Sequence, residues 1–107
     1  MTSPDIARVG EGIAIRSLFD KGFTILKWNP PDQLPGGDIE AEDATRKRRI
    51  LVQVRSDVEP NVPASLSSNE EADLESRAMN GGAEAWEAKV QLHSSLQSGS
   101  VTWRQLA

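Results

Sequence analysis

Asp38 heads a short segment that alternates acidic and apolar residues, and Gln53 and Arg55 lie two positions apart on the next apolar segment. Side chains repeat every second residue along a strand, so Gln53 and Arg55 share a face and, on neighbouring strands, come beside Asp38. A carboxylate and an amide oxygen placed this way can hold a hard divalent cation such as Mg²⁺, which takes oxygen ligands and keeps several waters. Such an ion polarises a phosphodiester and activates water, and a nearby cation stabilises the charge developing on the phosphate. Arg55 is positioned to be that cation. Glu11 recurs with Ile15 and Leu18 at i, i+4 and i+7, so a helix there puts its carboxylate on the core-facing side, where it can hold a metal-bound water.

The same residues also have plainer uses. Aspartate after Gly36 and Gly37 commonly bonds nearby backbone in a turn. Gln53 and Arg55 can form a structural polar pair, with Arg55 bridging to Asp38 or Glu40 and no metal present. Glu40 and Glu42 fit a solvated strand face, although Glu40 follows Asp38 on the same side and can be a second metal contact. Arg46, Lys47, Arg48 and Arg49 form a basic cluster that is either a solvated turn or a nucleic-acid contact beside the site. The lone His93 has no partner for a metal site or a nucleophile triad. Trp28, Trp86 and Trp103 alternate with apolar neighbours and suit core or rim anchors better than base-stacking platforms.

The elements that must position these residues follow from pattern and punctuation. Ser3, Pro4 and Asp5 open a helix that stops near residue 21, before Gly22, with Gly10 and Gly12 weakening its middle. Phe23 to Trp28 is rich in β-branched and aromatic residues and ends at Asn29, Pro30 and Pro31, so it is a strand followed by a loop to Gly37. Asp38 to Asp43 and Arg49 to Arg55 make a hairpin, and the second, the most apolar segment, is the central strand. Pro60 and Pro63 mark a loop. Ser68 with Glu71 is a capping-box signature for a helix to about Met79. Strict alternation of Trp86, Ala88, Val90 and Leu92 makes the next segment a strand despite its helix-forming composition, and Val101 to Leu106 makes the last. The order α-β-β-β-α-β-β predicts an α/β domain with a mixed sheet.

Composition narrows the chemistry. In 107 residues there is no cysteine and one histidine, so thiolate nucleophiles, Cys-rich zinc sites and multi-histidine metal sites are excluded. The length fits a single domain over residues 1–107. The absence of an N-terminal basic-then-apolar segment, and of a run of about 20 apolar residues, predicts a cytoplasmic protein with no membrane partner. The formal net charge is -4, and it is unevenly spread. Residues 1–55 hold nine Lys/Arg against eight Asp/Glu, and residues 56–107 hold three against eight. An acidic chain binds phosphate backbones poorly unless its basic cluster or a second subunit contributes.

A helix carrying Glu11, a strand, a loop leading to Gly36-Gly37-Asp38, an apolar strand ending Gln53-Val54-Arg55, and then a helix together resemble the restriction-endonuclease-like PD-(D/E)xK nuclease superfamily over residues 9–80. The resemblance implies a mixed sheet flanked by helices, with the two later strands completing it. It implies Asp38 as the metal-binding aspartate, Gln53 in place of the second acid, Arg55 where the family usually has lysine, and Glu11 as the helix-borne acid. Gly-Gly-Asp stands where the family has Pro-Asp. Glutamine gives a metal less charge than glutamate, and arginine cannot be deprotonated as lysine can. The expected function is Mg²⁺- or Mn²⁺-dependent hydrolysis of DNA by a homodimer, with Asp38, Gln53 and Glu11 at the metal, Arg55 at the transition state and Arg46 to Arg49 on the nucleic acid. Two alternatives stay open: a catalytically inactive protein of the same fold that binds a protein or nucleic acid, with Arg55 paired to Asp38, and a plain acidic adaptor.

Overall fold

The most apolar segment lies at the centre of the sheet. The structure is a computed structural model that describes residues 3–29 and 38–107. The side chains of Ser3 and Pro4, and with them the expected helix cap, lie outside the described residues, as does the expected Gly36–Gly37 turn. The chain runs α1 (Ser3–Asp20), β1 (Thr24–Asn29), β2 (Asp38–Asp43), β3 (Arg48–Val58), α2 (Ser68–Asn80), β4 (Glu84–Leu92) and β5 (Gly99–Gln105). The strands form one sheet in the order β1-β2-β3-β4-β5. All neighbours are antiparallel except β3 and β4. A parallel pair needs a crossover, and α2 supplies it. This is the mixed sheet with the element order expected from the sequence.

The pleat divides the sheet into two unlike faces. Ile39 and Ala41 of β2, Ile50, Val52 and Val54 of β3, and Ala88, Val90 and Leu92 of β4 bury themselves against Ala14 and Leu18 of α1 and against Phe23. On the other face a smaller apolar patch joins Leu66, Leu74 and Ala78 to Ala85. Much of that second face is polar, yet α2 covers it. Gly22, at a φ of 94°, ends α1 in the left-handed conformation that glycine tolerates and turns the chain into β1.

Several expected bounds shift: β1 runs Thr24–Asn29 and not Phe23–Trp28, and β5 runs Gly99–Gln105 and not Val101–Leu106. The capping box of α2 is Ser67 with Glu70, one residue earlier than the expected Ser68 with Glu71. Glu70 reaches back to the Ser67 N–H at 3.0 Å, whereas Glu71 points away to Arg104. β3 also continues to Val58, because β4 pairs with it in register as far as Leu92.

α1 approaches β3 closely at Gly10. A Cβ there would stand 1.7 Å from Ser56 Oγ and 2.6 Å from Ser56 Cβ, whereas one at Gly12 would have nothing within 4 Å. Gly10→Ala should therefore destabilise the protein by about 1–3 kcal/mol through overpacking. Gly12→Ala should stabilise it by up to about 1 kcal/mol through helix propensity. Urea midpoints of the two variants check the contrast, and Ser56→Gly should recover part of the Gly10→Ala loss. Equal midpoints would mean that the helix does not seat on β3 at Gly10.

Candidate active site

A row of polar side chains crosses the whole sheet on the face beneath α2. Asn29 pairs in register with Asp38, Asp38 with Gln53, Gln53 with Glu87, and Glu87 with Arg104. Register partners project to the same face, so these five residues lie side by side. The expected adjacency of Asp38 and Gln53 is therefore present, and Arg55 follows one pleat further along β3. Asp38 is 2% exposed and Glu87 1%.

Both of these buried carboxylates are paired. Asn29 Nδ2 donates to Asp38 Oδ1 at 2.9 Å, and Arg77 from the last turn of α2 bonds Asp38 Oδ2. Arg77 also donates through Nε to Asp73 Oδ2 at 3.0 Å, one helical turn back. Arg55 does not bridge to Asp38 or Glu40, as one of the plainer expectations had it. It pairs with Glu70, whose other oxygen closes the capping box of α2. Glu70 starts the helix directly above Arg55, so the nearest carboxylate comes from the covering layer and not from the neighbouring strand. Arg77 and Asn29 were not anticipated. Arg77 reads in sequence as a dipole-compensating cation at a helix C-terminus, and Asn29 as the last residue before a proline turn.

Glu11 is 1% exposed and accepts a hydrogen bond from Trp28 Nε1. Trp28 precedes Asn29, the partner of Asp38. Adjacent residues on a strand face opposite ways, so β1 holds Glu11 on the α1 side and Asp38 on the α2 side with two consecutive side chains. Trp28 thus acts as an anchor, as expected, with its indole N–H taken by the helix-borne acid.

Glu87 binds Arg104 Nε at 3.1 Å through Oε1, and its Oε2 accepts the Leu66 N–H at 2.8 Å. Burial alone would push its carboxyl up. The Arg104 and Leu66 hydrogen bonds and the charges of Arg104 and Lys89 outweigh burial, holding it below the usual glutamate range. Arg104 also bonds Glu71 of α2. Its alternating position in β4 marks Glu87 as polar-facing, but only the parallel register with β3 shows that it lies beside Gln53.

The basic cluster is largely consumed by carboxylates. Arg46 pairs with Asp43 and donates to the Lys21 carbonyl at 2.9 Å. Arg48 forks onto Glu84 at 2.8 and 3.1 Å, and Arg49 lies 4.0 Å from Glu40. The Arg46 and Arg48 guanidiniums sit 5.9 and 5.5 Å from the Phe23 ring centre. Lys47 stands exposed at the turn with a φ of 55°. His93 is exposed and lies 3.3 Å from Glu59.

One carboxylate and one amide oxygen suit Mg²⁺, which is commonly held by one or two carboxylates with waters and substrate phosphate. Among the described residues no three His, Cys, Asp or Glu side chains converge on one point. The Asp38 carboxylate, as it stands, is neutralised by Arg77.

The element order, the mixed sheet and the two-sided helical cover define the restriction-endonuclease-like nuclease fold, the fold that the sequence resemblance implied. The chain is similar in structure to Hjc, a Holliday junction resolvase from the archaeal hyperthermophile Archaeoglobus fulgidus, with a TM-score of 0.63 and 20% identity. The match covers 91% of this chain and 74% of the resolvase chain. No family model matches the sequence, and no curated protein does. No helix among the described residues is long and apolar enough to cross a membrane.

The depressed Glu87 carboxyl gives a signed pH effect. Its folded pKa lies below the unfolded value of about 4.5, so its contribution is complete above that pH and is lost as pH falls through the folded value. Glu87→Gln should flatten the loss of stability between about pH 5 and pH 3 relative to the parent. Glu87→Ala should cost about 2 kcal/mol at pH 7, because it orphans the Leu66 N–H. Thermal melts of both variants across that range check this, and parallel curves for parent and Glu87→Gln would overturn it.

Proposed function

We propose that this protein is a metal-dependent nuclease that hydrolyses DNA phosphodiester bonds within one domain. The observation that supports it is the register pairing of Asp38 with Gln53, with Arg55 one pleat on, inside a nuclease fold. The neighbouring Hjc is a Holliday junction resolvase. In this assignment Asp38 and Gln53 would hold Mg²⁺ or Mn²⁺, and the bound ion supplies Lewis-acid polarisation of the phosphate and a more acidic water.

The chain's own residues do the positioning. Asn29 orients the Asp38 carboxylate, and α2 shields it from bulk water. Arg55 carries a charge that cannot be lost, and Glu70 sets where that guanidinium rests above the strand. It stabilises negative charge developing on the phosphate, at a place fixed by the fold. Glu11, the expected auxiliary acid, lies with Trp28 on the opposite face of the sheet from Asp38 and enters this assignment only as a support of β1. Arg46 to Arg49 touch the nucleic acid mainly through Lys47, since the three arginines already face carboxylates. A homodimer in the cytoplasm presents two such sites to two strands and widens the cationic surface.

A second function is favoured by the ion pairs Arg77–Asp38 and Arg55–Glu70. Both motif residues then serve to dock α2, and the protein is a non-hydrolytic binding module on a nuclease fold.

Cleavage of supercoiled, single-stranded and four-way-junction DNA with Mg²⁺ or Mn²⁺ separates the two. The nuclease assignment requires cleavage that needs the metal and falls by about 10²-fold or more in Asp38→Ala. Equal background for both proteins on every substrate would favour the binding module.

A further inference from the structure

Arg77 lies on α2, outside the strands that carry the motif, and 39 positions from its partner Asp38. Its side chain is 29% exposed and touches two unequal carboxylates. Asp38 is 2% exposed, whereas the side chain of Asp73 is 65% exposed, on the same helix as Arg77 and one turn away. The inner contact supplies charge balance that a buried carboxylate needs, and the outer one does not depend on the sheet at all.

We propose that Arg77 is a resident counter-cation of the candidate site, which competes directly with a divalent ion for Asp38 and thereby gates metal loading. This rests on the proposal that Asp38 binds metal. A carboxylate in so buried a position is stable only when paired. Arginine cannot give up its charge, so it can yield Asp38 only by moving away from it. A single carboxylate cannot neutralise a guanidinium and a divalent ion together, and the amide of Gln53 adds no charge. The two cations therefore compete for the one negative charge. Asp73 makes the exchange feasible. The Nε contact already in place at 3.0 Å leaves Arg77 an ion-pair partner after Nη1 releases Asp38, so release needs side-chain rotation and no unfolding of the helix. The last turn of α2 precedes Gly81 and Gly82, which gives the segment carrying Arg77 an exposed end.

The coupling is reciprocal, as any competition between two cations for one group must be. Metal binding loosens the C-terminal end of α2 from β2, and whatever draws Arg77 outward raises the affinity for metal. A substrate phosphate has the chemistry to do this, because the planar guanidinium matches it in a two-point contact.

The experiment is a Mn²⁺ titration, read as loss of the free-ion paramagnetic resonance signal, on the full chain and on Arg77→Gln, Arg77→Lys and Asp38→Asn. Arg77→Gln should bind Mn²⁺ about tenfold more tightly or better, and Arg77→Lys should fall between it and the parent. Arg77→Gln should also melt at a lower temperature than the parent without metal and regain most of the difference with it. If Arg77→Gln does not fold, the Arg77→Lys titration decides alone. Equal affinity of the parent and the Arg77 variants, lost in Asp38→Asn, would overturn the gate while leaving the metal site standing. No binding by the parent or either Arg77 variant would overturn the metal site itself, and the gate with it.

Discussion

A row of charged and amide side chains beneath a helix cannot be left unpaired, and that requirement organises one whole side of this molecule. Asp38 and Glu87 are buried, separated by Gln53, and each is met from α2 or its approach: Asp38 by Arg77, Glu87 by the Leu66 N–H, with Arg104 bridging from Glu87 to Glu71. The six residue steps from Glu71 to Arg77 span about 9 Å of helix. The row from β2 to β5 spans three strand spacings, about 14 Å. Arg77 reaches from the helix to Asp38, and Arg104 reaches from β5 to Glu71. α2 is thus fixed across the sheet at two ends by ion pairs and between them by Leu74 and Ala78.

The opposite face follows an ordinary apolar logic, and there the sequence was legible. The alternation of Ile50, Val52 and Val54 named the central strand. That of Trp86, Ala88, Val90 and Leu92 outweighed the helical propensity of the same segment, because packing of one sheet face against α1 decides what local preference leaves open. Glu11 was readable as a carboxylate on a core-facing helical stripe. Its partner was not, since Trp28 carries no mark in the sequence that separates an indole with a buried acceptor from one that only packs.

On the α2 face, by contrast, residue types were legible and partners were not. Asp38, Gln53 and Arg55 announce a polar face at a spacing of two, but which cation meets Asp38 depends on where a covering helix ends. Glu70 and Glu71 differ by one position and by about 100° around the helix, and this sends one to Arg55 and its own cap and the other to Arg104. A capping box assigned one residue late therefore misassigns the whole set of ion pairs. Likewise Glu87 joins the candidate site only through parallel pairing of β4 with β3, a non-local fact that a strand pattern cannot carry.

The uneven charge of the chain has its counterpart in these contacts. Arg48 and Arg55 from the balanced half take Glu84 and Glu70 from the acidic half, and Asp38 takes Arg77 in return. Charge that looks in sequence like a basic cluster facing outward is spent in part on holding the sheet and α2 together. For nucleic-acid binding this matters more than the net charge, because counterion release needs cations that are not already neutralised. Arg46, Arg48 and Arg49 face Asp43, Glu84 and Glu40, and Arg55 and Arg77 face Glu70 and Asp38, so each of these five arginines meets a phosphate only by sharing or giving up a carboxylate.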